Sequence, residues 1–200
     1  MKSTSMKSTP TSFSLAARLL HWLMAPLLLA MPLIGTGMVN TVSAWRPWLA
    51  DIHKPLGLAL LALAIARLLL RISEGKENAQ RTISSAPGWQ QRMAALSHFV
   101  LYGAMLIMPL LGWGMLSAAG YPLPGIGAFH LPAIAPQNVV LYACLRYAHG
   151  ACGILFFAAI VVHVAAGLLH ALILKDGVFS GMALSLKNRN GTTVHASDQR

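Results

Sequence analysis

The stretch HGACGILFFAAIVVHVAAGLLHALILK, residues 149–175, decides the fold. It carries three histidines and no Asp, Glu, Lys or Arg before Lys175. A run this long and apolar reads as a membrane-crossing helix, because a hydrocarbon core of about 30 Å needs about 20 helical residues. His149 and His163 lie 14 residues apart. At about 100° and about 1.5 Å per residue, that spacing returns to within about 40° of the same face, about 21 Å further along the axis. One helix can therefore present two imidazoles on one side, one in each leaflet.

Three more segments share this character. The predicted spans are 14–39, 48–71, 94–118 and 140–174, the last long enough to tilt or to project beyond the bilayer. Pro26 and Pro32 in the first, Pro55 in the second and Pro109 in the third are tolerated in membrane helices as kinks. Pro47 is expected at the first position of the second helix, where its missing N–H costs nothing. The chain as a whole is 56% apolar and 10% charged. A soluble domain carries about 25% charged residues, so lipid is the expected solvent. The length suits one compact bundle, residues 12–182, with tails at 1–11 and 183–200 and no second domain. The basic tail after 182 reads as disordered. The first apolar stretch is too long for the core of a cleaved leader and is read as a retained helix.

The formal net charge of +10 is topological rather than a nucleic-acid footprint, because the basic residues flank the apolar segments. Lys2, Lys7, Arg18, Arg67, Arg71, Lys76, Arg81, Arg92, Lys175, Lys187, Arg189 and Arg200 fall on one side, and only Arg46, Lys54 and Arg146 on the other. By the positive-inside rule both termini are cytoplasmic. Cys144 and Cys152 are eight apart on one predicted helix, about 12 Å, which is too far for a disulfide.

Six of the eight histidines, His21, His53, His98, His149, His163 and His170, fall within spans. Ionisable side chains there are costly and point to function. One such histidine is commonly a hydrogen-bonded helix contact; six in four helices ask for a ligand. Depth sorts them. His21 and His163 lie toward the cytoplasm and His53 and His149 toward the outside. Two opposed imidazoles can sandwich a flat macrocycle and fill both axial positions of a haem iron, so the reading is an all-α, integral membrane four-helix bundle with two haems between its helices. A small metal site would gather ligands at one point, often with carboxylates or thiolates, and no Asp or Glu lies deep in a span. Gly57, Gly103, Gly112, Gly150, Gly153 and Gly167 could make room for the macrocycles, or serve ordinary close helix packing. Arg18, Arg67 and Arg71 are candidate propionate partners inside, although Arg67 alone reads better as a snorkelling anchor; Lys54 and Arg146 are the outer candidates. His170 and His98, both in the inner half, are candidate quinone contacts. His163 and His170 are seven apart and share a face. His130 and His195 lie outside the spans and are assigned no role.

These residues resemble the bacterial di-haem cytochrome b561 family, which is related to the cytochrome b subunits of nickel–iron hydrogenases. The resemblance runs from Ser12 to Met182. It rests on Arg18-Leu-Leu-His-Trp22, His53-Lys-Pro-Leu-Gly57, Arg67-Leu-Leu-Leu-Arg71, His98, Pro109-Leu-Leu-Gly-Trp113, Gly120-Tyr-Pro, Leu131-Pro, His149, His163-Val-Ala-Ala-Gly-Leu-Leu-His170 and Lys175-Asp-Gly177. It implies two haem b groups on His21, His53, His149 and His163, exchange of electrons with ubiquinone, and residence in the bacterial inner membrane. One type in the family oxidises superoxide outside and reduces ubiquinone, making superoxide a candidate donor here. Two departures stand out: His170 is followed by Ala171 where the family often has a second histidine, and His149 by Gly150 where it often has Glu. The alternatives are a di-haem anchor passing electrons between quinone and a hydrogenase-like redox partner, and a haem-free transporter or structural span protein.

Overall fold

The computed structural model describes residues 14–40, 42–74, 88–123, 125–126, 129–176 and 182. Both expected tails lie outside the described residues, as do Lys76, Arg81, Gly177 and His195. Among the described residues there are four long helices: α1 (Leu15–Asn40), α2 (Trp45–Ser73), α3 (Gly88–Ala119) and α4 (Val139–Leu169), the last continued by a π-helical turn, His170–Leu174. All four are long and apolar enough to cross a membrane. They form an all-α membrane bundle in up-down-up-down order, α1 against α2, α2 against α3, α3 against α4 and α4 back against α1. The only sheet among the described residues is a two-residue antiparallel bridge, Gly125–Ile126 with Phe129–His130, in the α3–α4 loop. The end that carries Leu15, Ser73, Gly88 and Leu174 is called basal here, and the opposite end distal.

Each helix ends for a local reason. Ser14 caps α1: its Oγ accepts from the Ala17 N–H at 3.1 Å and its carbonyl from the Arg18 N–H at 3.1 Å. The Ser14 hydroxyl also donates to Glu74 just past α2, tying the two basal ends together. α2 starts at Trp45, so Pro47 is its third residue rather than its first. The expectation placed the start where the apolar run begins, but Ser43 already supplies the first turn, its carbonyl accepting from the Arg46 N–H at 3.1 Å. Pro47 still loses nothing, because the first four N–H groups of a helix have no partner within it. α3 closes in a Schellman motif: Gly120 takes φ +67°, the Tyr121 N–H reaches the Leu116 carbonyl and the Gly120 N–H that of Ser117, both at 3.1 Å. Asn138 caps α4, its Oδ1 accepting from the Leu141 N–H at 2.9 Å.

The distal loop is stitched to α3. Ser117, 3% exposed, donates to the Trp113 carbonyl at 2.9 Å and accepts the Ile134 N–H at 3.2 Å. Trp113 Nε1 donates to the Pro132 carbonyl at 2.9 Å. The core holds at least one side chain from each helix: Met24, Ala64, Met105, Phe156 and Ile160. Outward faces are apolar and open, with Leu33, Ile154 and Val162 exposed. That inverts a soluble protein and suits lipid tails as the outer partner. Cys144 and Cys152 are both free thiols.

Gly120→Ala should destabilise the protein. A Cβ there would stand 3.0 Å from the Gln137 side chain, on a left-handed backbone. The backbone alone costs about 1 kcal/mol or more. Thermal unfolding in detergent should show a lowered midpoint, whereas Gly88→Ala, with nothing within 4 Å of its Cβ, should leave it unchanged.

Candidate functional site

α4 supplies one face with His149 and His163, and two other helices meet it at different depths. His21 of α1 stands opposite His163, ring centroids 6.5 Å apart at an interplanar angle of 74°. His53 of α2 stands opposite His149, centroids 6.1 Å apart at 71°. In sequence, Met24 follows His21 by one helical turn, and Phe156 and Ile160 fall between His149 and His163. The buried core therefore separates a basal histidine layer from a distal one.

A third ring joins the basal layer. His98 of α3 lies 5.9 Å from His163, centroid to centroid, at 65°. Sequence reasoning put His98 at this depth but not in this company. Its direction depends on how α3 is rotated against α4, which neither depth nor period along one helix reveals. Among the described residues, no three His, Cys, Asp or Glu side chains converge as they would on a small metal ion.

Two features leave room beside the rings. A Cβ on Gly112 would lie 3.4 Å from His149 Cε1, and one on Gly35 3.7 Å from His53 Cε1. Gly57 and Gly153 instead face Met31 and Met108, while Gly103, Gly150 and Gly167 have nothing within 4 Å. Gly35 was absent from the expected set. A signal for it existed: it lies 14 residues after His21, the same phase that relates His149 to His163. The Nδ1 atom of His53 is buried with no hydrogen-bond partner, while the His149 ring lies against the Met108 backbone. A buried polar nitrogen left this way costs about 1–3 kcal/mol. An orphaned ring nitrogen in a buried layer calls for a bound partner.

The cations divide. Arg67 donates from Nε to the Tyr102 hydroxyl at 3.1 Å and from a terminal nitrogen to the Ala17 carbonyl at 3.2 Å, so it cross-links α2 to α3 and α1. Arg71 sits over the Tyr102 ring, 5.6 Å from its centroid. Arg18 is half-buried one turn before His21. On the distal side, Lys54 pairs with Asp51 at 3.2 Å and Arg146 donates to the Tyr142 hydroxyl at 3.1 Å. His170 is not stacked on the basal rings; its Nδ1 meets Asp176 Oδ2 at 2.5 Å. His130 lies in the loop bridge.

Four membrane helices with facing histidines in two layers define a class, the membrane-bound b-type cytochromes. Comparison with known proteins narrows it. The family model described as prokaryotic cytochrome b561 matches residues 12–184, and the chain belongs to that family. It is 26% identical to cytochrome b561 homolog 1 of Escherichia coli (strain K12) over 132 residues, 66% of this chain and 73% of that one. It is 24% identical over 139 residues to the probable superoxide oxidase CybB of Yersinia pestis, 70% and 77% of the two chains. It is 28% identical over 139 residues to cytochrome b561 homolog 2 of Escherichia coli (strain K12), 64% and 68%. Membership implies haem b binding and electron transfer in the membrane. With four spans, it makes the chain a multi-pass protein of the bacterial inner membrane.

Gly112→Val should push the His149 ring from its place, since the added methyls must enter a gap already at contact distance. Haem-to-protein ratio by pyridine haemochrome should fall clearly, and Gly112→Ala should lower it less.

Proposed function

We propose that the chain carries electrons across the membrane through two b-type haems, from superoxide at the distal face to ubiquinone at the basal face. One observation carries the reading. A metal–imidazole bond is about 2 Å and the ring centre lies about 1.2 Å behind the bonded nitrogen, so two rings sharing one metal stand about 6.4 Å apart. The His21–His163 and His53–His149 separations of 6.5 and 6.1 Å match that spacing. His21 and His163 would hold one haem, and His53 and His149 the other. When bound, haem supplies a one-electron iron couple.

The remaining residues support this division. His98 stands at a comparable distance from His163. Arg67 lies within electrostatic range of all three basal rings, and Arg71 of His98 as well, a setting that suits contact of His98 with an anionic propionate or a quinone oxygen. Arg18 and Arg71 are the basal propionate candidates, and Arg67 is held by the Tyr102 hydroxyl and the Ala17 carbonyl. His170 is the second candidate quinone contact. Arg46, Lys54 and Arg146 are the cations available to steer an anion such as superoxide to the distal face, with Asp51 drawing on Lys54. Among the described residues Arg18, Arg67, Arg71, Arg92 and Lys175 lie toward the basal end and Arg46, Lys54 and Arg146 toward the distal one, a bias that favours a cytoplasmic basal end.

Four outcomes test the reading. Purified protein should show b-type bands at two haems per chain; a colourless protein ends the proposal. His21→Ala or His163→Ala should lose one haem and block quinone reduction, His53→Ala or His149→Ala should lose the other, and His98→Ala should keep both. If His98→Ala loses the basal haem and His21→Ala keeps it, the two residues exchange roles. Superoxide mixed with protein and ubiquinone should yield quinol without a protein partner; quinol formed only with a redox protein present points to the anchor role. Asp51→Asn, by freeing Lys54, should raise the superoxide rate about twofold, most at low ionic strength.

A further inference from the structure

The basal end of α4 is built at a local cost that its packing does not explain. α4 widens there into the π turn His170–Leu174, closed by the Lys175 N–H on the His170 carbonyl at 2.8 Å. π turns gather at functional sites. Lys175 then takes φ 49°, a left-handed conformation usually left to glycine. This reversal brings the carboxylate of Asp176 back to His170 Nδ1 at 2.5 Å. A carboxylate at a helix C-terminus opposes the helix dipole, and a residue placed only to cap would be cationic or glycine. A strained backbone and an unfavourable charge are thus both accepted to put one carboxylate on one imidazole. The side chains are 22% and 35% exposed, so water reaches both. His170 stands seven residues beyond His163, about 10 Å further toward the basal end.

We infer that Asp176 is a positioning residue that holds His170 as the proton donor to quinone. The inference rests on the quinone reading above. Quinone becomes quinol by gaining two electrons and two protons. The electrons come from the one-electron donor. One proton leaves His170 Nε2 for the quinone oxygen it faces, the imidazole recovering one from basal-side water, and the opposite oxygen takes its proton from water. Asp176 accepts the Nδ1 hydrogen throughout. It thereby keeps Nε2 turned outward, in the tautomer that can take up the next proton.

The test uses the full haem-loaded chain in lipid nanodiscs, reduced without oxygen and mixed with short-chain ubiquinone while the haem absorption is followed. Asp176→Asn keeps an oxygen for Nδ1 but loses the charge. Its maximal reoxidation rate should fall about tenfold or more, with haem content unchanged and the half-saturating quinone concentration within about twofold. Asp176→Glu should restore most of the rate, and His170→Gln should lose at least as much as Asp176→Asn. A wild-type rate in Asp176→Asn overturns the inference. So does a loss confined to half-saturation, which makes the pair a binding contact, or equal damage with lost haem in the Asn and Glu variants, which makes it a cap. Wild-type protein that quinone fails to reoxidise sinks the quinone reading itself, and the inference with it.

Discussion

An imidazole has two ring nitrogens that want partners, and the hydrocarbon interior offers none. The five that form the two layers are stable only if the helices bring them to each other or to something they can bind. That requirement governs the arrangement of the bundle. α4 must offer His163 to α1 at one depth and His149 to α2 at another, so its two histidines need a shared face and a separation of about two-thirds of the bilayer, which 14 helical residues supply. α1 and α4 are neighbours in the ring of helices, whereas α2 and α4 stand across its diagonal and scarcely approach. The His53–His149 pair therefore meets in the bundle interior rather than at a helix seam.

The same phase sets where side chains must be absent. Gly35 shares a face of α1 with His21, and Gly112 faces His149 from α3. A larger residue at either would occupy the place of an imidazole. Between the layers the requirement reverses: Met24, Ala64, Met105, Phe156 and Ile160 fill the middle and keep the two histidine layers separate. Methionine suits such a boundary, since its flexible thioether fills irregular space.

Much of this was legible in the sequence, and the misses share a cause. Hydropathy located all four helices because it reports which residues tolerate lipid. It placed the start of α3 at 94 where the helix begins at Gly88, because Gln90, Gln91 and Arg92 are helical but too polar to register as membrane. Pro47 was misplaced for the same reason: Ser43 begins α2 before the apolar run does. Depth and phase along one helix were enough to group His21 with His163 and His53 with His149. Rotation of one helix against another was not accessible, so the approach of His98 to His163, the cross-links of Arg67 to Tyr102 and Ala17, and the pairing of His170 with Asp176 had no signature in a single chain.

The two ends of the bundle are secured by different chemistry, and the difference bears on where change can occur. At the distal end, the charged contacts Lys54–Asp51 and Arg146–Tyr142 each stay within one helix, and backbone and neutral side chains join the elements, through the Schellman turn at Gly120, the buried Ser117 hydroxyl, the Trp113 indole on Pro132 and the Asn138 cap. Such bonds respond little to salt or pH, and they fix the loop over the distal histidines. At the basal end the ties are charged or titratable: Ser14 with Glu74, Arg67 with Tyr102, Arg71 over the Tyr102 ring and His170 with Asp176. Charge-assisted bonds are stronger where water is scarce and can also change state when a proton arrives. If quinone is reduced at the basal face, as proposed above, that face is also the end whose ties can exchange protons, while the distal ties hold their geometry whatever the proton supply.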